Sequence, residues 1–186
     1  ALLKSDIKAK AREMSLPNAD APESQEICFI PSDDYVSYIE ERIGAFPKGA
    51  FKDESGKTVG THEGIIHYTI GQRKGLGIAP TAPLYVSHID AESKNIILCR
   101  ENELYRTRVY AENCRYFAGE LPEIPFEANV SLRYTKKPGR ATVTAMGNGK
   151  VLIEFAEPQR APAPGQSAVF FDGDDLLGGG IISYSE

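Results

Sequence analysis

Residues 167–183 read SAVFFDGDDLLGGGIIS. The runs 167–171 and 176–183 are short and rich in β-branched and aromatic residues, and a polar turn separates them, which is typical of an antiparallel hairpin. The three glycines at 178–180 favour a strand that bends, because glycine inside a strand marks a bulge or a sharp bend. This stretch therefore predicts the last hairpin of a small closed barrel.

The same strand pattern extends upstream through most of the chain. Further strands are predicted at 108–116, 127–134, 141–146 and 151–155, which makes six in the C-terminal part. Before them, two hairpins are predicted in a central part, at 50–52 with 57–59 and at 84–89 with 96–100. The fold class is thus mainly β with short helices: an α+β central domain and a C-terminal six-stranded antiparallel β-barrel.

Two short helices precede the strands. Ser5-Asp6 is predicted to cap the first, which places Ile7, Ala11 and Met14 on one face and ends before Pro17. Ser32 is predicted to cap the second, with Asp33 and Asp34 in its first turn and Gly44 at its end. Its inward residues are Val36, Ile39 and Ile43. The predicted domains are residues 1–24, the end of a truncated domain and a linker; 25–104, the central helix and hairpin domain; and 105–186, the barrel.

Composition excludes several classes of protein. The chain has 186 residues, 41% of them hydrophobic, and a formal net charge of −5, which predicts a globular protein without a general nucleic-acid-binding coat. No apolar run approaches the ~20 residues of a membrane span, and no signal-peptide pattern is present, so a cytoplasmic location is predicted. Three scattered cysteines without a Cys-x-x-Cys pair, and three histidines without a ligand spacing, predict neither a disulfide scaffold nor a metal site.

Cys28 is the candidate reactive residue. Its apolar neighbours Ile27, Phe29 and Ile30 favour a packed side chain, whereas its position just before a predicted helix favours a thiolate nucleophile or sulfur carrier. Both readings stay open from the residues alone. Cys99 and Cys114 lie in strand patterns and are predicted to be packing residues.

Two basic segments are candidate phosphate or RNA contacts. In the run Tyr68 to Gly77 three glycines surround Gln72, Arg73 and Lys74, which is typical of either a tight connector or an anion site. The stretch 133–150 holds five basic residues and no acid, and it includes Lys136, Lys137 and Arg140. Arg133 beside Tyr134 pairs a cation with a ring that can stack on a base, but the cluster 133–140 is equally typical of a solvated hairpin with Pro138-Gly139 at its turn. The turn at Pro164-Gly165-Gln166 is predicted to place Gln166 at the mouth of a strand.

Five motifs in one order carry a family resemblance. They are Ser24-Gln25-Glu26-Ile27-Cys28-Phe29-Ile30, Tyr68 to Gly77, Pro83-Leu84-Tyr85-Val86, residues 164–169 (PGQSAV) and residues 177–182 (LGGGII). Together they cover nearly the whole chain, which closely resembles the C-terminal half of tRNA-specific 2-thiouridylases. The pyrophosphatase loop of that family, its ATP domain and a second catalytic cysteine have no counterpart here.

The resemblance implies sulfur transfer to carbon 2 of the wobble uridine of tRNA, after activation of that uridine by ATP. Cys28 is expected to be catalytic and to carry a persulfide, and the second cysteine to form a disulfide with it. Arg133, Tyr134 and Gln166 match tRNA contacts of the family. ATP is expected on the missing domain, and the chain alone is expected to be inactive.

The expected partners are the anticodon region of tRNA and a sulfur donor such as a cysteine desulfurase or a sulfur-relay protein. The protein is expected to be a monomer. Two alternatives remain: a stand-alone RNA-binding β-barrel in which Cys28 only packs, and a persulfide carrier that passes sulfur to another protein.

Overall fold

A computed structural model describes residues 2–21, 29–30, 34–78, 82–120, 122–134 and 137–186. The chain divides into two compact units, Ala1–Ala45 and Phe46–Glu186. The predicted domain boundaries at 24/25 and 104/105 stay predictions. No helix in the described part of the chain combines the length and the apolar character that crossing a bilayer requires.

The described residues of the first unit form two helices, α1 (Lys4–Glu13) and α2 (Tyr35–Ile43). α1 begins one residue before the predicted cap, because Leu3 is its N-cap and the Asp6 carboxylate accepts the Leu3 N–H at 3.1 Å. Its predicted apolar face is exposed at Ile7 and Met14. This unit therefore contains little packed core among its described residues.

The predicted cap of α2 is wrong. Asp34, not Ser32, is the N-cap, and its carboxylate accepts both the backbone N–H and the hydroxyl of Ser37, at 3.0 and 2.6 Å. Hydrogen bonds to the ionised form lower the pKa of Asp34. The helix ends at Gly44 as predicted, whose positive φ of 88° suits glycine. Ile43 is exposed rather than inward.

The second unit begins with a four-stranded sheet in the order β2-β1-β4-β3. Its strands are β1 (Gly49–Lys52), β2 (Thr58–His62), β3 (Tyr85–Asp90) and β4 (Asn95–Cys99), so both predicted hairpins are confirmed. The hairpins join through a parallel β1–β4 pair, with Phe51 opposite Ile96. The buried side chains of Phe51, Leu76, Val86, Ile96 and Leu98 form its core.

The predicted barrel is confirmed as a closed six-stranded antiparallel barrel in the order β10-β5-β8-β7-β6-β9. Alternate residues of these strands point inward and form one core that includes Val109, Val143, Ile153 and Phe170. The strands are β5 (Tyr105–Tyr116), β6 (Phe126–Ser131), β7 (Gly139–Gly147), β8 (Lys150–Arg160), β9 (Ser167–Asp172) and β10 (Asp175–Ser185).

Glycines allow β10 to close the barrel. Gly178 pairs with Tyr116 of β5 and with Phe170 of β9, and the register shifts on both sides of this region. A Cβ at Gly180 would overlap the Cys114 sulfur, and one at Gly178 would overlap the Arg115 carbonyl oxygen. The close approach of the strands explains why this segment is glycine, as the sequence predicted.

One strand end differs from its prediction. β6 ends at Ser131, not at Tyr134, and its pairing with β7 begins at Val130 opposite Gly139. The described residues 132–134 and 137–138 therefore lie outside both strands, in the β6–β7 connection. Arg133 and Tyr134 lie in a loop at the mouth of the barrel rather than in the sheet.

Candidate nucleic-acid interface

A groove of about 800 Å³ opens at one end of the barrel. We call it the barrel-mouth groove. Its lining is mostly apolar, with a few polar groups, which is the usual character of ligand sites. Its walls come from the β6–β7 connection, the turn before β9 and β9 itself, and they include Leu132, Arg133, Tyr134, Pro138, Gln166 and Phe171.

Tyr134 is fully exposed to solvent at the rim of this groove. An exposed ring costs little to desolvate on one face, and it can stack on a nucleobase without sequence preference. Directly before the ring, the Ser131 hydroxyl donates to the Arg133 carbonyl oxygen at 3.0 Å, which supports the backbone there. The ring is therefore presented from a held backbone.

Arg133 points inward, unlike its neighbour. Its Nη2 donates to the carbonyl oxygens of Ile70, at 3.1 Å, and Ala161, at 2.9 Å. Burial lowers the pKa of Arg133, and the positive charge of Arg160 lowers it further. Among the described residues, its buried Nε has no hydrogen-bond partner. The structure thus brings Arg133 to the Gly-rich segment, a neighbour that the sequence did not indicate.

Gln166 lies in a turn closed by two backbone hydrogen bonds. Its N–H donates to Ala163, and its carbonyl oxygen accepts the Ile182 N–H at 2.8 Å. The side chain lines the barrel-mouth groove and also a second cavity of about 310 Å³ that includes Tyr68 and His88. Its Oε1 is buried and lacks a partner among the described residues. Gln166 therefore joins the two cavities.

The Gly-rich segment is closed by its own hydrogen bonds. The Gly71 N–H donates to the Val86 carbonyl oxygen at 2.7 Å. The Gln72 side chain accepts the Thr69 N–H at 2.9 Å and donates to the Lys74 carbonyl oxygen at 3.0 Å. Two groups expected to face a phosphate thus hold the loop instead. Arg73 and Lys74 are exposed.

The basic residues after Tyr134 differ in their surroundings. Lys137 is exposed, and Lys136 lies outside the described residues. Arg140 pairs with Glu127 of the neighbouring strand, with Nε 3.2 Å from Oε2. Hydrogen bonds from Thr142 and Arg140 lower the pKa of Glu127. Glu127, an acidic residue outside this stretch, therefore neutralises part of its positive charge.

Cys28 lies outside the described residues, so its assignment stays a prediction. Phe29 next to it is exposed and meets the Tyr38 ring of α2 at 5.8 Å between centroids. The other two cysteines are buried and free, which confirms them as packing residues. Burial raises the pKa of Cys99 and raises that of Cys114 to about 11. Neither is a thiolate at neutral pH.

Sequence reasoning missed Arg160, the last residue of β8. Its guanidinium stacks over the Tyr85 ring, 5.3 Å from the centroid, and its Nε lies 3.4 Å from Glu101. The Tyr85 hydroxyl donates to the same carboxylate at 3.2 Å. This group ties the sheet to the barrel. No local motif marks it, because its members come from three separate segments.

Among the described residues, no three His, Cys, Asp or Glu side chains cluster to hold a metal ion. The four-stranded sheet and closed barrel instead define a β-barrel protein with an open, partly basic groove at the barrel mouth. Two protein-family models match this chain. A tRNA methyl transferase PRC-barrel domain matches residues 36–100, and an aminomethyltransferase β-barrel domain matches residues 106–182.

Similar curated proteins identify a more specific family within the β-barrel proteins. The tRNA-specific 2-thiouridylase MnmA of Acetivibrio thermocellus is 46% identical over 180 residues, which cover 96% of this chain and 50% of the relative. Those of Caldanaerobacter subterraneus (MnmA 1) and Carboxydothermus hydrogenoformans are each 44% identical, over 96% of this chain and 50% and 49% of the relative. The chain belongs to the tRNA-specific 2-thiouridylase family. It spans about half the length of these relatives.

Proposed function

We propose that this chain supplies the tRNA-contacting barrel and the sulfur-carrying cysteine of a tRNA 2-thiouridylase. The substrate is the wobble uridine of a tRNA anticodon, whose C2 oxygen is replaced by sulfur. One observation carries the proposal: in a chain of this family, Arg133, Tyr134 and Gln166 line a single groove. The sequence matched these same three residues to tRNA contacts.

The groove suits an unpaired base. Bases of an anticodon loop are already single-stranded, so presenting one to a protein costs less than extruding it from a duplex. Tyr134 offers a face for stacking, and the Gln166 amide nitrogen offers a hydrogen-bond donor. The exposed cations Arg73, Lys74 and Lys137, together with Lys136, are assigned to backbone phosphates.

The chemistry assigned to Cys28 follows from the poor electrophilicity of a uracil carbonyl. ATP converts the C2 oxygen into a leaving group, and the terminal sulfur of a Cys28 persulfide attacks C2 while AMP departs with that oxygen. A second cysteine, outside this chain, then attacks the Cys28 sulfur. The S–S bond breaks, 2-thiouridine is released, and the two cysteines form a disulfide that a thiol reductant reopens.

ATP is assigned to no residue of this chain. The Gly-rich segment does not fit a nucleotide cradle, because its Gly71 amide and its Gln72 side chain are already hydrogen-bonded within the sheet and the loop. Persulfide loading and RNA contact are the two steps that this chain is proposed to perform.

Two measurements test these two steps separately. The chain is incubated with a cysteine desulfurase and cysteine, and mass spectrometry is expected to find one extra sulfur on Cys28 and none on Cys99 or Cys114. Fluorescence anisotropy is expected to show binding of an anticodon stem-loop that weakens in Tyr134→Ala and Gln166→Ala and is unchanged in Cys28→Ala.

The alternatives predict different pairs of results. RNA binding without sulfur on Cys28 would make the chain an RNA-binding module. Sulfur on Cys28 without RNA binding would make it a persulfide carrier. The absence of both would exclude the proposed function.

A further inference from the structure

We infer that the RNA strand bound at the barrel mouth continues into a third cavity beside the sheet, where a further base stacks on Tyr184 and its phosphate faces Arg106. This assignment rests on the proposed function and extends it from one base to a single-stranded segment of RNA.

Three cavities follow one another from the barrel mouth toward the sheet. The barrel-mouth groove and the cavity of about 310 Å³ share Gln166 in their walls. The smaller cavity shares Ile70, His88 and Pro164 with a third one of about 430 Å³, which we call the seam cavity. Each of the three is large enough for a small ligand. A strand of RNA that starts in the barrel-mouth groove therefore has room to continue toward β3.

The seam cavity lies where β3 of the sheet meets the end of β10. Its walls include Ser87 and His88 of β3 and Ser183 and Tyr184 of β10. The end of β10 is fixed next to the Gln166 turn, because the Ile182 N–H donates to the Gln166 carbonyl oxygen at 2.8 Å. Two residues separate this hydrogen bond from Tyr184, so the seam cavity and the barrel-mouth groove belong to the same end of the barrel.

Tyr184 is a supported and accessible ring. Its side chain is 56% exposed, and it packs against the Tyr110 ring with 5.8 Å between centroids. The Tyr110 hydroxyl donates to the Glu186 carboxylate at 2.9 Å, which holds the supporting ring. Aromatic side chains that are exposed along a groove are the stacking surfaces of single-strand-binding proteins, and they accept any base. Tyr184 therefore repeats, at the far end of this row of cavities, the arrangement of Tyr134.

The charges of the seam cavity favour a phosphate beside that base. Arg106 lines it, and its Nη1 donates to the carbonyl oxygens of Glu103 and Tyr105. These two bonds use two of the five N–H groups of a guanidinium, so the cation is held in place and keeps donors for a phosphate. Glu186 also lines the cavity, but its carboxylate is engaged by the Tyr110 hydroxyl and by Arg108, whose Nη1 lies 3.5 Å from Oε1.

Two RNA probes of different length test the path of the strand. They are a single-stranded heptanucleotide with the sequence of an anticodon loop and its central trinucleotide, and fluorescence anisotropy measures the affinity for each. Tyr184→Ala is expected to weaken binding of the heptanucleotide about tenfold and to leave that of the trinucleotide unchanged, whereas Tyr134→Ala weakens both. The control is Phe117→Ala, which removes an exposed ring beyond the other end of β5 and is expected to change neither. Parent affinity for the heptanucleotide in Tyr184→Ala would overturn the inference.

A conservative variant separates stacking from a structural role of the same residue. Tyr184→Phe keeps the ring and loses the hydroxyl, so it is expected to bind the heptanucleotide as the parent chain does. A loss in Tyr184→Phe as large as that in Tyr184→Ala would exclude stacking as the role of Tyr184. Thermal melts accompany both variants.

Salt dependence tests the phosphate contact and needs no change at Tyr184. Arg106→Met is expected to lower the slope of log K against log salt by about 0.7 for the heptanucleotide, because one phosphate contact is lost. Arg115→Met removes the same charge from the other end of β5 and is expected to leave the slope unchanged. An unchanged slope in Arg106→Met would overturn the inference.

Failure of the inference and failure of the proposed function give different results. Binding that Tyr134→Ala weakens, with equal affinity of the parent chain for the trinucleotide and the heptanucleotide, would refute the seam cavity as an RNA site and leave the proposed function supported. Absence of binding to either RNA by the parent chain would refute both.

Discussion

The closed barrel and the four-stranded sheet reach stability by different routes. Each barrel strand has two neighbours, and the barrel core comes almost entirely from its own strands. The sheet has two edge strands, β2 and β3, and its core is completed by loop residues such as Tyr68 and Ile70. The sheet also buries a histidine, His62, which is 3% exposed.

This difference separates RNA binding from stability in the barrel and couples the two properties in the sheet. The β6–β7 connection places Leu132 in the barrel core and leaves Tyr134 fully exposed, so the Tyr134 ring adds nothing to that core. In the sheet, Tyr68 packs against Phe51 and His62, and it also lines the cavity that contains Gln166. Substitution of Tyr68 in the sheet should therefore affect both properties, whereas substitution of the exposed Tyr134 should affect binding alone.

The largest expected effect is at the closure of the barrel. Gly180→Val is expected to lower the free energy of unfolding by about 4 kcal/mol or more, because its side chain cannot share space with the Cys114 sulfur and the Glu112 carbonyl. Urea unfolding followed by circular dichroism measures this loss. The control is Gly173→Asn in the same hairpin, where the space is open and asparagine tolerates a φ of 56°. Similar stability of the two variants would refute closure by glycine.

A pair of tyrosines tests the separation of function from stability. Tyr134→Ala is expected to weaken RNA binding by about 1–3 kcal/mol through lost stacking, with an unchanged melting temperature. Tyr68→Ala is expected to lower the free energy of unfolding by about 2 kcal/mol, because the ring packs edge-on against Phe51 at 5.2 Å between centroids. RNA anisotropy and thermal melts are measured for both variants. A large loss of stability in Tyr134→Ala would contradict the separation.

The two buried cysteines report on the two regions directly. Cys99 packs in a small cluster with Tyr85, Leu104 and Ala161, whereas Cys114 lies in the main barrel core. A thiol reagent reaches such residues only when their region opens. At pH 8, Cys99 is expected to react at least about tenfold faster than Cys114, which corresponds to a difference of about 1.4 kcal/mol in opening.

Mass spectrometry of tryptic peptides assigns each labelled site. Unfolded chain in urea is the control, in which both thiols react at similar rates. Equal rates in the native protein would mean that the sheet and barrel open as one unit. That result would contradict the difference between the two regions.

Much of the fold could be predicted because strand patterns are local. The two-residue period and the glycine run were sufficient for six barrel strands and for closure. The end of β6 could not be predicted from this pattern. Residues 132–134 continue the pattern, although the pairing with β7 has already stopped. The N-cap of α2 was also ambiguous, because Ser32 and Asp34 are both good caps and only the observed hydrogen bonds select Asp34.

The site was less predictable than the fold. Arg133, Tyr134 and Gln166 stay predicted tRNA contacts, and the structure places all three along one groove. The hydrogen bonds of Arg133 could not be predicted. Its acceptors lie 63 and 28 residues away in the chain, and they are backbone carbonyls, which carry no residue signature. Arg140 shows the same limit, since its acid partner comes from the adjacent strand.

The smallest expected effect concerns pH and the sheet. Burial is the main cause that lowers the pKa of His62, with the charge of His67 adding to it. The Gly64 N–H donates to Nδ1, so Nε2 is the donor to the Lys94 carbonyl oxygen and the folded state favours the neutral ring. The unfolded chain binds a proton more readily, so stability is complete above about pH 6.5 and falls as pH decreases below it. Chemical unfolding at pH 7.5 and 5.5 measures the loss, which is expected to disappear in His62→Gln and to persist in His88→Gln, where an exposed histidine of the same sheet is replaced. An unchanged pH dependence in His62→Gln would show that the buried ring is not its source.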